Sequence, residues 1–507
     1  MTRYRHLITD GNRKWWTLGA MCFALFMIML DNTVVNVALP SIQRDLHASI
    51  SSLEWTINGY TLTFAVLIAT GGRLGDIFGR RLMFLAGVIV FAVTSATAGL
   101  AQDPTMLIAS RAIQGIGAAL MMPATLSIIT HAFPAAERGK AIGTWAGVSA
   151  LALSIGPVVG GFLTEYVSWR AIFFINLPVA VAAVLATTFA VRESRDESID
   201  RKVDYPGVAV LTAGLTAIVL ALIEGNRWGW SSTTILSLFA GGAVAMALFV
   251  AIELRVKAPM VEFGLFRTRQ FIGSTLVAFI ITFAMMGTFF FMALYMQDVL
   301  RYSALEAGVR FLPTTMVIAA IAPLAGRLSD RLGPGTPMSA GLSVLAVSMF
   351  LFAGINPGTT YGGLIVPFIL MGVGIALVMS PMSAAAMNAV SVQKAGVASG
   401  VLQMSRMIGA SVGVAATGAI FQSRLGSGFN PAQLATAPDQ ARAVFVDALA
   451  SAMLLSAFVV VTGLLVSLSL VRGVRMKRVD TRAAAAESAE AVPEAAAAEE
   501  AHQSVAA

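Results

Sequence analysis

Apolar residues run along this chain in long, nearly unbroken blocks, and polar residues are confined to the short segments between them. A window of about 19 residues, the length of a bilayer-crossing helix, finds blocks near 15–39, 53–72, 82–101, 105–130, 140–166 and 170–191. A charged stretch from Arg192 to Asp204 follows, then two blocks near 205–224 and 232–254, then a basic, polar segment from Arg255 to Arg269. Six more lie near 270–298, 305–326, 336–355, 361–390, 396–422 and 443–471, about fourteen in all. In lipid every backbone polar group must be satisfied within the segment, so blocks of this length are helices. The pattern predicts an all-α integral membrane protein of two six-helix bundles plus two extra linking helices. Its parts are an N-terminal segment 1–14, a first bundle 15–191, charged linkers with two additional spans 192–269, a second bundle 270–472 and a tail 473–507.

An even number of spans puts both ends on one side. Lys and Arg gather in alternate connections, at Arg80 and Arg81, Arg138 and Lys140, Arg192 to Lys202, Arg255 to Arg269, Arg327 and Arg331, Lys394, and Arg472 to Arg478. The other connections carry single cations, often beside acids. By the positive-inside rule both termini are cytoplasmic. Composition agrees: 57% of residues are hydrophobic and 12% charged, against about 25% charged in soluble domains. The net charge of +7 is spent on topology and forms no basic face for nucleic acid. The single cysteine, Cys22, lies in an apolar block, so neither a disulfide framework nor a cysteine metal cluster is expected. The basic N-terminus precedes a block too long for a signal sequence and reads as a retained first span. From Val479 the tail is rich in Ala and Glu, has no apolar period, and is expected to be disordered or weakly helical. The loop from Arg424 to Arg442 is the longest connection on the outer side and holds no folded domain.

An internal repeat joins the two halves. Gly72-Arg73-Leu74-Gly75-Asp76-Ile77-Phe78-Gly79 recurs as Gly326-Arg327-Leu328-Ser329-Asp330-Arg331-Leu332-Gly333, each copy after the second helix of its bundle. Duplicated bundles are a hallmark of secondary transporters. Asp31, in Leu30-Asp31-Asn32-Thr33-Val34-Val35-Asn36, stands inside the first span about two turns from its outer end. Such an acid costs about 2.5 to 3.5 kcal/mol on insertion scales and is a functional candidate for that reason. It can exchange a proton, or meet a cation, as a cavity opens to either side. Arg111, in Arg111-Ala112-Ile113-Gln114-Gly115, puts a guanidinium in the fourth span. There it either pairs inside the bundle or snorkels to the outer interface. In the fifth span Ser154-Ile155-Gly156-Pro157-Val158-Val159-Gly160-Gly161 offers a small-residue face for close helix approach and a proline that removes a backbone donor.

These motifs, in order, resemble those of the major facilitator superfamily, and within it the fourteen-span drug:proton antiporters, over roughly residues 15 to 472. The resemblance implies the major facilitator fold, with Asp31 and Arg111 in proton coupling. Asp76, Arg80, Arg81 and Asp330 become a conformational latch, with Asp76 meeting a helix N-terminus or an arginine across the boundary between halves. Gly156, Pro157, Gly160 and Gly161 become the packing signature associated with export; Ala152 stands where that pattern expects a further glycine. Trp169-Arg170-Ala171-Ile172-Phe173-Phe174-Ile175-Asn176-Leu177-Pro178 is similar to the start of the family's sixth span. Gly396 to Gly400, with Arg406 and Gly409, resembles its penultimate span. Asn36, Gln114, Phe289, Met292 and Arg406 are candidates for the substrate cavity, the ninth span being crowded with soft Phe and Met side chains that suit varied ligands.

No phosphate-binding loop, zinc-protease motif or nucleophile elbow is present, and His6, His47, His131 and His502 are isolated. No enzyme activity, cofactor or metal is expected. The expectation is a proton-coupled antiporter, read as a monomer, that exports drugs or other hydrophobic or cationic small molecules across a bacterial cytoplasmic membrane by alternating access. The same motifs would serve a dedicated exporter of one metabolite, antibiotic or lipid. A receptor that has lost transport is disfavoured, since a receptor has no need of a buried charge or a proline inside a span.

Overall fold

The computed structural model describes residues 9, 11–195, 204–256, 259, 261–390, 395–426 and 438–471. The predicted tail, Lys394 and most of the Arg424–Arg442 loop lie outside the described residues. Fourteen helices among those described are long and apolar enough to cross a membrane. The first six are α1 Arg13–Asp45, α2 Ile50–Phe78, α3 Arg80–Gly99, α4 Pro104–Ala132, α5 Ala135–Tyr166 and α6 Ala171–Ala190. Two more follow, α7 Tyr205–Trp228 and α8 Thr233–Glu253. The last six are α9 Arg269–Val299, α10 Ala304–Leu332, α11 Gly335–Ala353, α12 Tyr361–Asn388, α13 Ala395–Leu425 and α14 Asp439–Val471.

The helices start where side chains can replace missing backbone acceptors. Ser49 accepts from the Ser52 N–H, Asp103 from Met106 and Ser232 from Ile235. Ser303 and Glu306 form a reciprocal capping box at α10, the sequence signature of a helix start. The repeated motif closes each second helix in the same way. Gly79 and Gly333 both have positive φ, 123° and 80°, a region that residues with a Cβ rarely enter.

Within the first half α2 and α3 pack on α4, and α1 packs on α5 and α6. Within the second, α9 packs on α13, α10 and α11 on α12, and α11 on α14. The halves meet along two seams, α2 against α13 and α5 against α10, and α7 lies against both α2 and α13. α9 has 89% of its apolar window buried against 17% for α8, so α9 is a central helix while α8 presents most of its surface outward.

Cross-half bonds gather toward the end of the bundle remote from α1's first residue, the far end. Gln297 donates to the Val37 carbonyl at 2.8 Å. The Glu165 carboxylate of α5 accepts from the Leu305 N–H at 2.9 Å, a charge placed where a helix N-terminus favours it. The Gly-Pro segment of α5 lies at this seam. A Cβ at Gly160 would come within 2.7 Å of Val34 in α1, one at Gly161 within 2.7 Å of Leu305 in α10, and Gly308 of α10 packs on the Pro157 carbonyl. Toward the near end of the same helix a Cβ at Gly143 or Gly147 would touch nothing within 4 Å. The two ends of α5 therefore have opposite packing. Leucine at Gly160 should lower stability by about 1–3 kcal/mol, the cost of overpacking. Leucine at Gly143 should leave it nearly unchanged. Thermal unfolding of the two purified variants measures the contrast.

Candidate functional site

Asp31 and Arg111 meet inside the first half. The carboxylate is 0% exposed and the guanidinium 2%, and Arg111 Nη1 donates to Asp31 Oδ2 at 2.5 Å. The second carboxylate oxygen accepts from Gln114 Nε2 at 3.2 Å and Asn176 Nδ2 at 3.4 Å. Arg111 also donates through Nε to the Thr56 carbonyl at 3.2 Å and through Nη1 to Gln114 Oε1 at 2.7 Å. Its guanidinium carbon lies 4.3 Å from the Tyr60 ring centroid, within cation–π range. Asn176 donates on to Ser95 at 2.9 Å, and Ser95 donates to the Phe173 carbonyl at 2.9 Å. One cluster thus joins α1, α2, α3, α4 and α6.

Spacing explains the convergence. Arg111 and Gln114 are three residues apart on α4 and share a face, while Asn176 follows the single-residue interruption at Ile175 and opens the main part of α6. The two ionised groups cancel each other's charge, and amides fill the remaining acceptor sites. That completeness is what makes a buried pair tolerable, since removing either partner strands a charge. Of the two readings open for Arg111, pairing inside the bundle is the one observed.

The latch residues separate into two groups. Asp76 accepts from Arg80, four residues on, at 2.9 Å, a contact within one half and not across the boundary. Arg81 Nη2 donates to the Thr188 carbonyl of α6 at 3.1 Å. The Glu193 carboxylate accepts the backbone N–H groups of Arg81 and Leu82 at 3.0 and 3.1 Å, capping α3 from beyond α6. A Cβ at Gly79 would lie 2.6 Å from that carboxyl carbon, so the glycine also clears room for the cap. Asp330, in the second copy, is exposed and makes no ion pair among the described residues.

The cavity candidates are also dispersed. Gln114 belongs to the ion-pair cluster. Asn36 is buried and donates to the Asn32 carbonyl at 3.1 Å, while its own amide oxygen has no partner. Phe289 packs edge-on against Phe311 of α10 at 5.3 Å, and Met292 is fully buried within α9. Arg406 of α13 donates to Gln403 at 3.3 Å and has no carboxylate partner among the described residues; its Nε is buried without an acceptor. Thr56, Tyr60 and Ser95 in the ion-pair cluster and Glu193 at the α3 cap were not singled out from sequence, and neither was Glu54. Glu54 is an acid at the start of α2 that is 0% exposed.

Two helical bundles of six, meeting along two seams with a charge pair inside one of them, define a polytopic membrane transporter. The chain matches the Major Facilitator Superfamily over residues 21–414, and it belongs to that family. It is 36% identical over 417 residues to the tetracenomycin C resistance and export protein of Streptomyces glaucescens, covering 82% of this chain and 78% of that one. It is 38% identical over 408 residues to a puromycin resistance protein of Streptomyces alboniger, covering 80% and 81%. Among solved structures, a bacterial homologue of the human lysosomal transporter Spinster, inward-facing and unoccupied, matches with a TM-score of 0.65 at 17% identity over 90% of this chain and 98% of that one.

Arg111→Met strands the Asp31 charge and should cost about 3–5 kcal/mol of stability. Adding Asp31→Asn to it should restore most of that loss. A double-mutant cycle of unfolding free energies measures the coupling.

Proposed function

We propose that this transporter is a proton-coupled antiporter that exports drugs or other small molecules from the cytoplasm by alternating access, acting as a monomer in a bacterial cytoplasmic membrane. The observation that carries the reading is the fully satisfied Asp31–Arg111 pair, buried in the first half at 2.5 Å. A proton delivered to Asp31 removes the charge that holds Arg111, so protonation and the arrangement of five helices become linked. The two relatives, named for resistance to tetracenomycin C and puromycin, support export as the direction. The alternate loops rich in Lys and Arg support a cytoplasmic near end, with both termini on that side. In this reading Asp76, Arg80, Arg81 and Asp330 form the latch that re-forms as the halves rock. The packed far end and the free space beside Gly143 and Gly147 suit a state open toward the cytoplasm.

The driving force is adequate. One charge crossing the membrane gains about 2.3 kcal/mol per 100 mV, and each pH unit adds about 1.36 kcal/mol. Substrate would meet Asn36, Gln114, Phe289, Met292 and Arg406 at different stages, since Phe289 and Met292 are packed away here. A second reading, export of one dedicated antibiotic or metabolite, is favoured by Arg406. A buried guanidinium with no carboxylate partner suits a ligand carrying an anionic or acceptor group.

Efflux of ethidium from cells expressing the wild type should collapse on adding an uncoupler. Asp31→Asn should lower the coupled rate by about 100-fold or more, the scale of a lost proton-transfer group. Export by the Asn variant at the wild-type rate would sink the coupling assignment. Transport of an acidic aromatic antibiotic, lost in Arg406→Gln while ethidium efflux persists, would select the dedicated exporter.

A further inference from the structure

A second acid is buried at the far-end seam. Glu54 of α2 is 0% exposed. Its Oε1 accepts from Gln422 Nε2 of α13 at 2.9 Å, and its Oε2 has no partner. The backbone at Gly418 of α13 presses on the carboxyl group, with a Cβ there falling 2.6 Å from its carbon. One turn further along α2, Asn58 accepts from Ser411 of α13 at 2.7 Å. On the other side α7 closes in, where Asn226 donates to the Ala419 carbonyl at 2.7 Å. Both halves and α7 therefore converge on one carboxyl.

The charged groups around it are few. α7 brings Glu224, within electrostatic reach of Glu54, and Arg227, which sits 3.6 Å from Glu224. α13 brings the neutral Gln422 and, at its end, the exposed Arg424. α4 brings Arg111, already committed to Asp31 of α1, and the cations of α3, Arg80 and Arg81, lie at its opposite end. An ionised carboxylate has about four lone-pair sites to satisfy, and this position supplies one amide donor and no cation. A neutral carboxyl leaves one hydroxyl unmet, whereas an ionised one leaves a charge unmet.

We propose that Glu54 is a second proton-binding site, occupied while the far-end seam is closed and emptied into far-side water when α13 parts from α2. Closure of that seam then depends on pH independently of Asp31. The proton leaves the carboxyl for water on opening and returns before the seam re-forms, with Gln422 re-engaging the same oxygen.

The test uses the full chain in lipid nanodiscs, with Cys22→Ser and spin labels at Gln102→Cys and Pro357→Cys, two exposed far-end loop positions in opposite halves. Pulsed electron paramagnetic resonance reads their separation against pH. The separated population should grow with rising pH in this background. Glu54→Gln should hold the far end closed throughout. Glu224→Gln, which removes a repelling charge, should move the transition to lower pH by about one unit, a tenfold change in proton affinity. Should Glu54→Gln fail to fold, the Glu224→Gln shift decides alone, its absence counting against the proposal. Asp31→Asn should retain the Glu54 response, which separates failure of this site from failure of the coupling assignment. A Glu54→Gln variant that follows the parent curve, or a parent with no pH response, overturns the proposal.

Discussion

The Asp31–Arg111 pair fixes the internal geometry of the first half. Neither charge can be left alone in an apolar interior, so the helices carrying them and their hydrogen-bond partners must stay in register. Because Thr56, Gln114 and Asn176 complete the shell, the constraint reaches four helices directly and α3 through Ser95. At the seams between bundles the halves touch through hydrogen bonds, one of them to the Glu165 carboxylate, and through small-residue packing.

Those seams differ in kind. On one side α5 and α10 approach through glycines, with backbone against backbone at Gly161 and Gly308. Van der Waals packing of this sort is close but carries no buried charge, so it can part without stranding an ion. On the other side α2 and α13 meet through Asn58, Ser411, Glu54 and Gln422. Polar contacts here lose little when water replaces them, and one of them is ionisable. The α5–α10 seam is not without polar contacts, since Ser154 and Thr315 exchange hydrogen bonds across it, so what sets the α2–α13 seam apart is its fully buried acid.

The number and order of helices were legible because lipid enforces long apolar blocks, and Asp31 and Arg111 stood out because charge inside such a block is rare. Helix ends were less so. α1 runs from Arg13 to Asp45, past the end of its apolar block near residue 39, because Ser41, Gln43 and Arg44 continue the helix beyond the apolar core. Hydropathy marks the slab and not the hydrogen-bond ladder. Partner choice was not legible at all. Nothing in one dimension says that Arg111 stacks on Tyr60, or that Glu193 caps α3 more than a hundred residues upstream. Phe283 to Met292 illustrates the same limit, since a run of Phe and Met reads alike whether it faces lipid, ligand or other helices, and α9 puts these residues in the interior.

The two added helices are unequal, and their inequality bears on why the two-bundle arrangement tolerates them. α8 packs principally on α7 and buries little of its apolar window, so it adds lipid-facing surface without touching either seam. α7, by contrast, contacts α2 and α13 together and bonds to α13 through Asn226. A helix attached to both halves along one seam must either follow one of them or bend when they separate. The bond from Asn226 to a main-chain carbonyl of α13 needs no particular side chain there and ties α7 to the second half. The position of Glu224 on that same helix then makes the electrostatic surroundings of Glu54 depend on where the second half stands. The linker spans are thereby part of the boundary between the halves as well as the covalent connection across it.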